Sequence, residues 1–175
     1  MEYKYYAKSN PTETIKEHTD KLLENLEILK NEYGDKITQS IEMPKERFWQ
    51  LMKIICQYHD TGKVFSGFQN VIREAIGEKL IPTKFDNQEI KHEQISPMFV
   101  PYKQYEMTKK ERKLVYQAIY YHHERNNKIH IDRELLEEII KEDIEPNIEK
   151  IEKELQIEIS KLSTLYLGMV EGQAR

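Results

Sequence analysis

Five of the chain's six histidines, His18, His59, His92, His122 and His123, fall at expected helix ends or on apolar helix faces, and Asp60 follows His59 directly. Imidazole titrates near neutrality and offers a lone pair to borderline divalent metals, whereas a carboxylate can bridge two such ions and partly neutralise them. Histidines grouped with one bridging aspartate are the ligand types that a dinuclear hydrolase requires. Each residue also has a plainer reading. His18 could be a hydrogen-bonded core histidine, and His59 could occupy a helix C-terminus because the helix dipole favours it there. His92 and the His122-His123 pair could be surface or capping residues. Residue types alone leave these alternatives open.

The elements that must position these residues are helices. Apolar residues recur at helical spacing through nearly the whole chain, which predicts an all-α fold, and strict alternation is confined to fragments such as Lys128-Ile129-His130-Ile131. A first helix is expected to open at Pro11-Thr12, to carry Ile15, His18, Leu22, Leu26 and Leu29 on one face, and to end near Gly34. A second starts at Pro44 and aligns Phe48, Met52, Ile55 and His59 before Gly62 ends or bends it. A short third helix, Ser66 to Ile76, should turn Phe68, Val71, Ile72 and Ile76 inward, and a polar loop from Pro82 to Asn87 then leads to His92. Thr108 and Glu111 spell a capping box for a helix whose face Leu114, Ala118, Tyr121 and His122 runs into the histidine pair. From Asp132 to Arg175 two or three further helices are expected, with a break at Pro146.

The 175 residues make one domain's length, enough to bury roughly two thirds of the unfolded surface without disulfides. The lone cysteine, Cys56, lies in the apolar stretch Phe48 to Tyr58 and reads as core, and a chain without an intramolecular bridge suits a reducing cytoplasm. No run approaches a membrane span, and Met1 to Asn10 lacks the layout of a signal peptide, so a cytoplasmic protein with no membrane partner is expected. A net charge of -4 from 27 basic and 31 acidic residues gives no global argument for nucleic-acid binding. The run Lys109 to Lys113 is a candidate contact whose simpler reading is a solvated helix face.

The order of the motifs says more than any one of them. His18, then Tyr58-His59-Asp60-Thr61-Gly62-Lys63, then His92-Glu93-Gln94-Ile95-Ser96, then Ile119-Tyr120-Tyr121-His122-His123, resembles the HD domain of the CRISPR-associated type I nuclease-helicase, over roughly residues 12 to 125. That family shows an early helix histidine, an HD-x-G-K segment, an H-x-x-x-S segment and a paired HH in this order. Two departures bear on local structure: Pro97 follows Ser96, which predicts a kinked or shortened helix at His92, and Glu124-Arg125 stands where a glycine is common.

The resemblance implies a helical HD bundle, residues 1–175, with a histidine-rich metal site in its core cleft. It implies two divalent ions, one held by His18, His59 and Asp60, the other by Asp60, His92, His122 and His123, with Asp60 as the bridge. A late aspartate would complete the first set. Asp132 and Asp143 come too soon after His123, and Gly168 to Arg175 resembles the start of the late helix, so the chain is expected to stop before that ligand. Lys63 would supply positive charge for the phosphate or transition state, and Ser96 a hydrogen bond that orients His92 or another ligand. Manganese, nickel, cobalt or iron suit such a site better than magnesium. The implied substrate is single-stranded DNA, cut in concert with a helicase subunit or domain and an RNA-guided surveillance complex. A phosphohydrolase of small nucleotides and a non-catalytic helical adaptor are the competing readings.

Overall fold

Thr12, Glu13 and Thr14 alternate between β-branched and charged side chains, and in the computed structural model this stretch is a strand. The structure describes residues 4–86, 90–123, 132–159 and 161–170. Strands β1 (Tyr6–Ser9) and β2 (Thr12–Thr14) pair antiparallel, with Tyr6 opposite Thr14 and Ser9 opposite Thr12. The fold is helical as expected, with this one small sheet added among the described residues. Helix α1 therefore spans Ile15–Thr38 and does not open at Pro11. A capping box sets its start: Thr14 Oγ1 accepts from the Glu17 backbone N–H, and the Glu17 carboxylate accepts from the Thr14 N–H at 2.8 Å. Gly34 does not end the helix either; it is buried beneath the Trp49 indole.

The buried face of α1 runs through Ile15, Thr19, Leu26 and Gly34 with Leu22 and Leu23 packed beside Leu26, so Ile15, Leu22 and Leu26 of the expected stripe turn inward. His18 stands at its rim and Leu29 is exposed. Helix α2 (Lys45–Tyr58) is covered on two sides. Trp49 and Cys56 join Leu26 of α1 in a small cluster, while Leu51, Ile54 and Tyr58 enter the main core. Phe48, Met52 and Ile55, the expected stripe, are only partly buried, because a helix apolar on several sides has no single stripe to read.

Helix α3 (Ser66–Ala75) buries Ile72 but leaves Val71 65% exposed. Its inward face is polar: Gln69 accepts from Tyr6 N and donates to Tyr6 O and Lys63 O, and Arg73 donates to Lys4 O. This face lashes the hairpin to the body of the fold, a role that an apolar pattern does not reveal. Helix α4 (His92–Ile95) is a single turn that passes at Pro97 into a 3-10 turn, Ser96–Phe99, so the shortening expected there is present. Helix α5 (Lys109–Tyr120) opens on the Thr108–Glu111 capping box. Its buried residues are Val115, Tyr116, Ile119 and Tyr120; Leu114 and Ala118 are exposed, one position off the expected face.

Beyond Asp132, α6 (Arg133–Ile139) widens into a π-type turn over Ile140–Ile144, and a 3-10 turn at Glu145–Asn147 marks the break at Pro146. Helices α7 (Ile148–Leu155) and α8 (Leu167–Val170) complete the described chain. The main core gathers Tyr58, Phe65, Ile95, Phe99, Ile119, Leu136, Ile144, Ile151 and Tyr166 from segments spread along the chain. The alternating Lys128 to Ile131, the pair Glu124-Arg125 and the final Glu171 to Arg175 lie outside the described residues. No described helix is long and apolar enough to cross a membrane.

Candidate metal centre

Four separate segments deliver the ligand-type residues to one place. His18 comes from the first turns of α1, and His59 caps the C-terminus of α2 with Asp60 following. His92 opens α4, and His122 and His123 lie just beyond the end of α5. The ligand atoms of His18, His59 and Asp60 all lie within 4.8 Å of one another, as do those of Asp60, His92, His122 and His123.

Asp60, only 3% exposed, divides its two oxygens between these groups. Oδ2 lies 3.5 Å from His18 Nε2 and 3.4 Å from His59 Nε2. Oδ1 lies 3.1 Å from His92 Nε2 and 3.6 Å from His122 Nε2. His123 Nε2 approaches His92 Nε2 at 3.2 Å. Lys63, on the 3-10 turn Thr61–Val64, donates to Asp60 Oδ2 at 2.8 Å.

The backs of the rings are held as firmly as their fronts. His59 Nδ1 donates to Cys56 O at 2.8 Å and His122 Nδ1 to Ile119 O at 2.6 Å, each to the carbonyl three residues earlier in the helix it terminates. A carbonyl can only accept, so Nδ1 carries the hydrogen and a neutral ring turns the Nε2 lone pair toward Asp60. Glu13, buried on β2, approaches His18 Nδ1 at 3.1 Å, and Glu93 approaches His92 Nδ1 at 3.4 Å.

Burial pushes the Asp60 carboxyl up, but His122, His92, His59 and Lys63 around it outweigh that and hold it well below the carboxylate range. Burial lowers His59, and burial with the neighbouring His122 and His92 lowers His123, so both offer lone pairs at neutral pH. Burial also opposes the charged form of His122, yet the Asp60 carboxylate and the Ile119 carbonyl raise it on balance. Glu13 is held down to about 2, chiefly by Lys21 and Lys8.

These residues fit a divalent cation. Among the described residues, Asp60 Oδ1 and His122 Nε2 are buried polar atoms without a hydrogen-bond partner. Orphaned groups of this kind cost roughly 1–3 kcal/mol each, and here they face one another across a cluster of further nitrogen donors. A shared cation satisfies them together.

Ser96 meets His92 at its backbone. Its Oγ donates to the His92 carbonyl and accepts from the Gly62 N–H, both at 2.9 Å, and so pins the turn after Asp60 to α4. Gly62 is tightly enclosed there: a Cβ would lie 2.1 Å from the His92 carbonyl oxygen. Neither early aspartate joins the cluster. Asp132 caps α6, and Asp143 accepts from the Ser66 N–H at the start of α3. Glu13 and Glu93 carry no motif that points to the cluster. A helix opening at Pro11 would make Glu13 an ordinary first-turn acid, and the one available signal for Glu93 was an acid directly after His92 within a buried turn.

No curated protein and no solved structure matches the chain. The family described as "Cas3, HD domain" matches residues 18–166. That span runs from the first histidine of the cluster to Tyr166, whose hydroxyl donates to the Gln94 carbonyl behind α4. Every residue that meets at Asp60 lies inside it, and the chain belongs to the family of Cas3 HD nuclease domains.

Proposed function

We propose that this chain is a metal-dependent nuclease that cleaves single-stranded DNA in type I CRISPR interference, together with a helicase subunit or domain and an RNA-guided surveillance complex. The observation that carries this reading is the division of Asp60, with one oxygen toward His18 and His59 and the other toward His92 and His122. His18, His59 and Asp60 would hold one divalent ion, and Asp60, His92, His122 and His123 would hold the other. Such ions, when bound, acidify water and stabilise charge on the phosphate and leaving oxygens. The imidazole-rich donor set favours manganese, nickel, cobalt or iron over magnesium. Lys63 is the ammonium of the centre and lends its charge to the scissile phosphate beside Asp60 Oδ2. His123 is exposed and the His18 side chain is 33% exposed, so two edges of the cluster face solvent. An open edge suits a strand laid across the site better than a small nucleotide closed into a pocket.

The test is incubation with single-stranded DNA, duplex DNA and free nucleotides in added manganese or nickel. Single-stranded DNA should be cut, and Asp60→Asn should abolish cutting with the helical circular dichroism unchanged. Hydrolysis of nucleotides with DNA left intact would replace the substrate reading, and a protein that binds no stoichiometric metal would be an adaptor.

A further inference from the structure

A carboxylate buried on a two-stranded hairpin needs a reason. Glu13 is the one buried residue of β2, and it lies upstream of the matched segment 18–166. Its Oε2 meets His18 Nδ1 at 3.1 Å and Lys8 Nζ at 2.6 Å, while Oε1 accepts from Lys21. The opposite ring nitrogen, His18 Nε2, is the atom that faces Asp60 Oδ2.

We infer that Glu13 is a positioning residue for the His18 ligand. This rests on the metal-dependent reading of the site. An ionised carboxylate can only accept, so its contact places a hydrogen on His18 Nδ1, and in the neutral ring that binds a metal the lone pair is then on Nε2, aimed at Asp60. Three other histidines of the centre are held behind the ring by local means: His59 and His122 lean on carbonyls of their own helices, and His92 on the adjacent Glu93. His18 lies near the start of α1, and the hairpin supplies the acceptor for its ring from the preceding strand. Gln69 binds both backbone atoms of Tyr6 on β1, β1 pairs with β2, and Thr14 at the end of β2 caps α1, so the hairpin that carries Glu13 is fastened to α3 on one side and to the helix that carries His18 on the other. Lys21 on Oε1 and Lys8, which shares Oε2 with the imidazole, balance the charge of the buried carboxylate.

Two measurements test this on the whole chain. In metal-free protein, at a pH high enough for the ring to be neutral, nitrogen-15 side-chain spectra should show His18 as the Nδ1–H tautomer; the Nε2–H tautomer, or a mixture of the two, would overturn the assignment whether or not the protein is a nuclease. In calorimetric titration with manganese, Glu13→Ala should weaken the binding event that depends on His18 by roughly 10- to 100-fold and leave the other unchanged. Glu13→Gln, which keeps an acceptor oxygen, should fall between that variant and the parent. The pair Lys8→Met with Lys21→Met should keep both the tautomer and the binding. If the lysine variants lose metal as fully as Glu13→Ala, Glu13 serves only to hold the hairpin. Unchanged binding in a folded Glu13→Ala protein has the same force. Should Glu13→Ala not fold, the tautomer of the parent chain still decides.

Discussion

Asp60 has two oxygens and gives one to each group of imidazoles, so the two proposed ion positions cannot be independent. Its replacement by asparagine should remove both calorimetric binding events at once, whereas His18→Ala should remove one. The positions are also unequal. One has three described donors, His18, His59 and Asp60, and the other has four, Asp60, His92, His122 and His123. The three-donor position is expected to bind at least about tenfold more weakly, seen as two separated events in a manganese titration. Two equally tight events would require a further ligand at the first position. The ligand-type residues were legible because histidine and aspartate announce their chemistry by type and order. Glu13 and Glu93 were not, because they act through contacts that no periodicity encodes. The Ser96 hydroxyl binds backbone atoms of His92 and Gly62, partners that residue type alone does not specify.

At the scale of the element, the chain joins the segment bearing Asp60 to the segment bearing His92 through backbone contact. Gly62→Ala would set a Cβ 2.1 Å from the His92 carbonyl oxygen and force α4 away from the turn after Asp60. The expected cost is roughly 1–3 kcal/mol in urea unfolding, with weaker binding at the position that includes His92. Gly34→Ala is the control, since its Cβ would meet Trp49 at 3.6 Å, ordinary contact distance, and it should change stability little. Element identity was largely readable from the sequence. The Thr108–Glu111 capping box and the Pro97 and Pro146 breaks stand where local chemistry put them. Buried faces were less readable. Helix α2 is covered on two sides, α5 turns Val115 inward where Leu114 was expected, and α3 buries Gln69, Asn70 and Arg73. Helix α1 starts later than Pro11 suggests, because the Thr14–Glu17 capping box three residues on governs the start.

Across the whole molecule, the proposed ligands come from α1, the end of α2, α4 and the end of α5, so a bound ion would tie together segments far apart in sequence. Such a tie favours the folded state by mass action. At a hundred times its dissociation constant one ion should raise the melting temperature by roughly 5–10 °C, an increment that a chelator should reverse. A melting temperature indifferent to manganese and to chelator would refute ion binding at the cluster. The hairpin belongs to this assembly as much as any helix does. Gln69 and Arg73 fasten it to α3, and Glu13 reaches from it to His18. The working unit therefore begins ahead of the segment that similarity marks out. A chain trimmed back to His18 would keep every proposed ligand of the centre and lose the strand that aims the first of them.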